Sequence, residues 1–272
     1  MIKNILSSLI LLVGSMSFVC AGTVDTLITR SPTMNEDIKA IVIIPECYEP
    51  EQQYPAVYLL HGYSGDYRGW LNINPEIKDL SDQYQMILVC PDAKNSWYWD
   101  SPINPKSQYE TYISEELVEQ IDNRYSTIRS PEGRAITGLS MGGHGALYLA
   151  FKHQDVFGAA GSMSGGVDIR PFPAGWEMSK QIGEYAQNPD FWETNTVINM
   201  LDLVQPGTLA LIIDCGTEDF FYQVNVNLHN ELTERKIPHD FISRPGVHNS
   251  KYWANAVLYQ LLFMDRFFKV KS

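Results

Sequence analysis

Gly138-Leu139-Ser140-Met141-Gly142 is a G-x-S-x-G sequence with a β-branched run, RAITGL, before it and a glycine- and alanine-rich stretch after it. A serine on a sharp strand-to-helix turn lifts its hydroxyl clear of the sheet, where it can attack an acyl carbon. Small residues two before and two after let the strand and helix cross closely. The following helix points its N-terminal dipole at the negative charge that develops during attack. Ser140 is therefore read as a nucleophile and the backbone N–H of Met141 as one oxyanion donor. The second donor is expected from the loop after an early apolar strand. Leu59-Leu60-His61-Gly62-Tyr63-Ser64-Gly65 supplies it through the N–H of Tyr63.

Such a nucleophile needs a base, and the base needs an acid to hold its tautomer. After a strand–turn–helix serine these follow in the chain order acid, then base. Of the six histidines, His61 precedes Ser140 and is read as a brace for its own loop. His144 and His153 fall on or just past the helix after the serine, His229 falls mid-helix, and His239 opens the last strand. Only His248 lies in a loop after that strand, and it is the expected base. Asp219, in the loop after the preceding strand, is the expected acid. Asp214 and Glu218 compete with it: Asp214 is still within the strand, and Glu218 is one residue early in a tight turn.

These residues need a sheet to hold them. Short apolar runs occur at 38–45, 54–60, 86–90, 134–139, 157–164, 208–215 and 240–244. Continuous runs alternating with helical stretches predict a buried, mostly parallel sheet flanked by helices, an α/β fold. Helices are predicted over 107–125, 141–152, 223–236 and 251–268, the last with Ser250 as its N-cap. Residues 165–205 fit neither period and are read as a small cap insertion over the site.

The chain has 272 residues, 44% hydrophobic and 19% charged, which suits one large α/β domain, with two small ones as the alternative. A net charge of −12 repels polyphosphate, so nucleic acid is not an expected partner. Residues 1–21 have a single lysine, an apolar stretch and Val19-Cys20-Ala21, and read as a signal peptide cleaved near Ala21. The apolar stretch is short for a bilayer span, so no stable membrane insertion is expected after its removal. Cys20 raises a lipoprotein reading, against which Val19 is large for the preceding position. This leaves 22–272 as a single catalytic domain, periplasmic or secreted. Cys47, Cys90 and Cys215 remain, an odd number without metal-ligand spacing, so no metal site is expected, and the serine chemistry calls for no cofactor.

With these residues in place, the chain resembles the esterase-D branch of the α/β hydrolases, which includes feruloyl and acetyl xylan esterases, tributyrin-type esterases, S-formylglutathione hydrolases and mycolyltransferases. The resemblance is carried by LLHGYSGDYRGW from Leu59, PDAKNSWYWDSP from Pro91, YETYISEELVEQID from Tyr109, GLSMGGHGALYLA from Gly138, FGAAGSMSG from Phe157, CGTEDFF from Cys215 and PGVHNSKYW from Pro245. It implies an α/β-hydrolase fold, catalytic roles for Ser140, Asp219 and His248, and oxyanion roles for Tyr63 and Met141. One departure is the Asn249-Ser250 pair after the base, where many relatives carry an acidic or aromatic residue.

The resulting expectation is a secreted serine carboxylic-ester hydrolase acting on acetyl, feruloyl or other short acyl esters of carbohydrates. An acyltransferase or an S-formylglutathione-type thioesterase on the same triad is the alternative; a catalytically silent binding protein is the alternative of another class. Trp97, Tyr98 and Trp99 follow a strand end and are expected at the rim of the site, with Trp176 added from the insertion, as surfaces for a sugar face or an aromatic acyl group.

Overall fold

The computed structural model describes residues 22–271, so the signal-peptide and Cys20 readings lie outside it. Eight strands make one sheet: β1 (Thr23–Ser31), β2 (Glu36–Ile44), β3 (Ala56–Leu60), β4 (Ile87–Pro91), β5 (Arg134–Leu139), β6 (Ala159–Met163), β7 (Ala210–Gly216) and β8 (Asp240–Arg244). Their order is β1-β2-β4-β3-β5-β6-β7-β8. β2 is antiparallel to both β1 and β4. From β4 through β8 every pairing is parallel.

The central strands are mostly apolar because both faces are covered; every residue of β3, β4, β5 and β6 is buried. The period of two sorts β3 between two cores. Ala56, Tyr58 and Leu60 pack on one face with the helix Met141–Lys152 and the segment 109–124. Val57 and Leu59 pack on the other face with Leu261 and Met264 of the helix Ser250–Lys271. A buried ion pair, Arg134 to Asp122 at 2.8 Å, fixes 109–124 to the base of β5.

Two sequence expectations change. β1 was not anticipated: TVDTLITRS alternates exposed and covered positions at the sheet edge and so lacks a continuous apolar run. The final helix starts at Ser250, and its cap is Asn249, whose Oδ1 accepts the Tyr252 N–H at 2.9 Å. Within 165–205 lie two short helices, Met178–Ile182 and Pro189–Thr194, and a 3-10 segment, Val197–Leu203. No helix among the described residues is long and apolar enough to cross a membrane.

Candidate active site

Ser140 sits between β5 and the helix Met141–Lys152 with φ 55° and ψ −116°, a conformation that costs an L-residue energy. Packing enforces it. A Cβ on Gly138 would lie 2.4 Å from the Gly142 carbonyl oxygen, and one on Gly142 would lie 2.4 Å from that of Leu60. The glycines of G-x-S-x-G are thus demanded by backbone approach on both sides. The Ser140 N–H donates to the Met163 carbonyl at 2.8 Å, which ties the turn to β6.

Ser140 Oγ lies 2.9 Å from His248 Nε2, and His248 Nδ1 lies 2.8 Å from Asp219 Oδ2. An ionised carboxylate only accepts, so Nδ1 carries the proton and Nε2 is left to accept from the serine hydroxyl. Asp219 Oδ1 accepts the Phe221 N–H at 2.8 Å, which locks the carboxylate plane. The two loops are zipped together. Thr217 N–H donates to the Arg244 carbonyl and Glu218 N–H to the Gly246 carbonyl, both at 3.0 Å. Gly216 packs so tightly on Gly246 that a Cβ would come within 2.3 Å of its carbonyl oxygen.

The rival acids are engaged elsewhere. Glu218 Oε2 accepts the Gly246 N–H at 3.1 Å and so pins the loop from outside. Asp214 is fully buried and bonded to Arg244 and Tyr252.

The Gly62–Tyr63 loop reaches the serine: a Cβ on Gly62 would lie 3.3 Å from Ser140 Cβ. His61 braces it. Its Nε2 accepts the Ala93 N–H at 2.9 Å, so its Nδ1–H donates to the Gly62 carbonyl at 2.8 Å. Burial lowers its pKa and keeps the ring neutral. Asn95 Oδ1 accepts the Ser64 N–H at 2.8 Å. The Met141 amide is the first of its helix and has no intrahelical acceptor. The Met141 amide thus directly follows Ser140, and Tyr63 follows the Gly62 that packs against it.

A cavity of about 360 Å³ opens over Ser140. Trp176 and Phe220 form one wall, stacked with centroids 5.5 Å apart. Trp70, Ile73, Leu139 and Trp253 also line it. Trp253 meets the His248 ring edge-on at 4.8 Å.

Trp97, Tyr98 and Trp99 are not at the rim. They are 1%, 0% and 0% exposed and lie beneath the site. Trp97 Nε1 holds the Trp176 carbonyl at 3.2 Å, and the Tyr98 hydroxyl holds the His61 carbonyl at 2.9 Å. Trp97 and Trp99 box the buried His144, whose pKa burial lowers to about 3. The three support the wall and the oxyanion loop from behind. Sequence reasoning missed Phe220, Trp253 and Trp70 as lining residues. Phe220 adjoins Asp219 in the same loop, and that adjacency was the available signal.

The sequence matches, over residues 31–264, the family described as "Putative esterase". The chain belongs to this family. By that membership it is a carboxylic-ester hydrolase. It is 28% identical over 210 residues to an acetyl esterase of Caldicellulosiruptor saccharolyticus, covering 72% of this chain and 78% of that one. It is 30% identical over 228 residues to a diacylglycerol acyltransferase/mycolyltransferase of Mycobacterium leprae, covering 74% of this chain and 69% of that one. A solved ferulic acid esterase superposes with a TM-score of 0.78 at 27% identity, covering 92% of this chain and 99% of that one. The esterase therefore has the α/β-hydrolase fold.

Proposed function

We propose that this esterase works through an acyl-enzyme on Ser140, and that the continuous hydrogen-bonded series Ser140–His248–Asp219 carries that reading. His248 Nε2 takes the serine proton as Oγ attacks the ester carbon. Asp219 holds the Nδ1–H and steadies the imidazolium. The Tyr63 and Met141 amides hold the oxyanion, and His248 returns the proton to the leaving alcohol. Water then repeats the sequence and frees the acid. No step needs a cofactor.

The substrates we propose are acetyl, feruloyl or other short acyl esters of carbohydrates. Two features support this: a cavity of about 360 Å³, and an aromatic wall of Trp176 and Phe220 that suits an apolar ring or sugar face. The acetyl and ferulic acid esterases among its relatives point the same way. Export is part of the proposal, argued from the leader-like residues 1–21. The acyltransferase relative favours a second reading, in which an alcohol replaces water at deacylation.

Ser140→Ala tests the chemistry: p-nitrophenyl acetate turnover should be lost, and survival at the native rate would remove Ser140 from the reaction. A panel of p-nitrophenyl butyrate, methyl ferulate and acetylated xylo-oligosaccharide then tests the acyl and alcohol parts. Product analysis with and without a sugar acceptor separates transfer from hydrolysis.

A further inference from the structure

Asp214 takes no part in the Ser140–His248–Asp219 series, yet it is a fully buried carboxylate with both oxygens in use. Oδ1 accepts the Tyr252 hydroxyl at 2.5 Å. Oδ2 is ion-paired with the Arg244 guanidinium. These partners are the two stems of the loop that carries His248. Arg244 closes β8 and Tyr252 lies in the first turn of the helix Ser250–Lys271. The stems also touch each other: Arg244 Nε donates to the Tyr252 hydroxyl at 3.4 Å, and its guanidinium lies 5.4 Å from the Tyr252 ring centroid. Between them, Gly246 packs against the Tyr252 ring so closely that a Cβ would lie 2.2 Å from it, and Asn249 caps the Tyr252 amide.

β7 therefore addresses the His248 loop twice. Residues 216–218 zip onto 244–246 by backbone hydrogen bonds, and two residues before Gly216 one side chain ties both stems. A buried ion pair is a weak device for stability alone, because desolvation offsets most of its Coulomb gain. Here it joins the two stems of one loop to a single side chain on β7.

We infer that Asp214 is a positioning residue that sets the separation of His248 Nε2 from Ser140 Oγ by fixing both stems of the His248 loop to the strand that leads into Asp219. The inference rests on the roles proposed above for Ser140, His248 and Asp219. Misplacing a base by about 1 Å costs on the order of 100-fold in rate.

Two variants test it. Asp214→Asn keeps the shape and removes the charge. Tyr252→Phe cuts one arm and leaves the ion pair intact. Each is assayed with p-nitrophenyl acetate in the native and in the His248→Ala background. In the native background kcat should fall about 10- to 100-fold with little change in KM. In the His248→Ala background neither change should lower the residual kcat further. The same fractional loss in both backgrounds, or an unchanged native kcat, would overturn the inference. If Asp214→Asn does not fold, Tyr252→Phe decides alone. Failure of the underlying reading has its own signature, native-rate turnover by His248→Ala or Ser140→Ala.

Discussion

The Phe220 ring covers the His248 imidazole with centroids 4.2 Å apart, while Trp176 stacks on Phe220 at 5.5 Å. Phe220 is half exposed and lines the cavity, so it is wall to the substrate and screen to the base. Aromatic contacts of this kind are worth about 0.5–1.5 kcal/mol beyond area burial. Phe220→Ala should raise KM for an aromatic ester such as methyl ferulate by about 2- to 10-fold, and raise KM for ethyl acetate less. Equal KM values for mutant and native enzyme on both esters would remove Phe220 from substrate contact.

Asp219→Asn preserves the acceptor for the Phe221 N–H and the size of the side chain. It lets His248 settle in the wrong tautomer, because an amide can donate where the carboxylate only accepts. kcat should fall about 10³- to 10⁴-fold with circular dichroism unchanged. A loss below tenfold would return the acid role to another residue.

The Ser140 turn offers a stability test that ignores activity. With φ at 55° and ψ at −116°, alanine keeps the backbone strain and glycine releases it. Such strain costs about 1–3 kcal/mol, against about 0.5–1 kcal/mol for the extra unfolded freedom of glycine. Ser140→Gly should therefore have a higher urea midpoint than Ser140→Ala, the reverse of the usual order. Equal midpoints would mean that the turn relaxes in the absence of the hydroxyl.

Glu110 ties the segment 109–124 to the helix after Ser140. Burial works to raise its carboxyl, but hydrogen bonds from His153, Lys152 and Tyr148 outweigh that and hold it at about 2, below its ordinary 4.5. A depressed folded pKa stabilises the fold above the unfolded value, and that contribution fades as pH falls from about 4.5 towards 2. Glu110→Gln should flatten the fall of the urea midpoint across that window. A curve parallel to the native one would show that other carboxylates govern acid unfolding.

The features legible in the sequence are local ones. The strand Arg134–Leu139 and the helix Met141–Lys152 stand where their run of β-branched residues and their glycine–alanine content put them. Chain order brought Ser140, Asp219 and His248 together as candidates, and the fold places them within hydrogen-bond reach. What escaped was non-local. Trp97-Tyr98-Trp99 looks like an exposed loop tip in sequence, but Trp176, some 80 residues on, covers it. Asp214 looked like a misplaced acid, because its partners at Arg244 and Tyr252 can be recognised only once β8 lies beside β7. The cap shifted from Ser250 to Asn249 because either side chain can serve, and only helix register chooses between them.

The strand order has a further consequence. The serine stands on β5 in the middle of the sheet, and the base hangs from β8, the last strand, with β6 and β7 between them. That is three strand spacings, about 14 Å. β8 is only five residues long and, among the described residues, is paired on one side alone. Such an edge is where a sheet breathes first. A brief opening of β8 would carry His248 away from Ser140 while lifting only the partly buried Phe241 from one core and Ile242 from the other. Heating should therefore silence the esterase reversibly some degrees before it melts, with the amides of β8 exchanging hydrogen well ahead of those of β5.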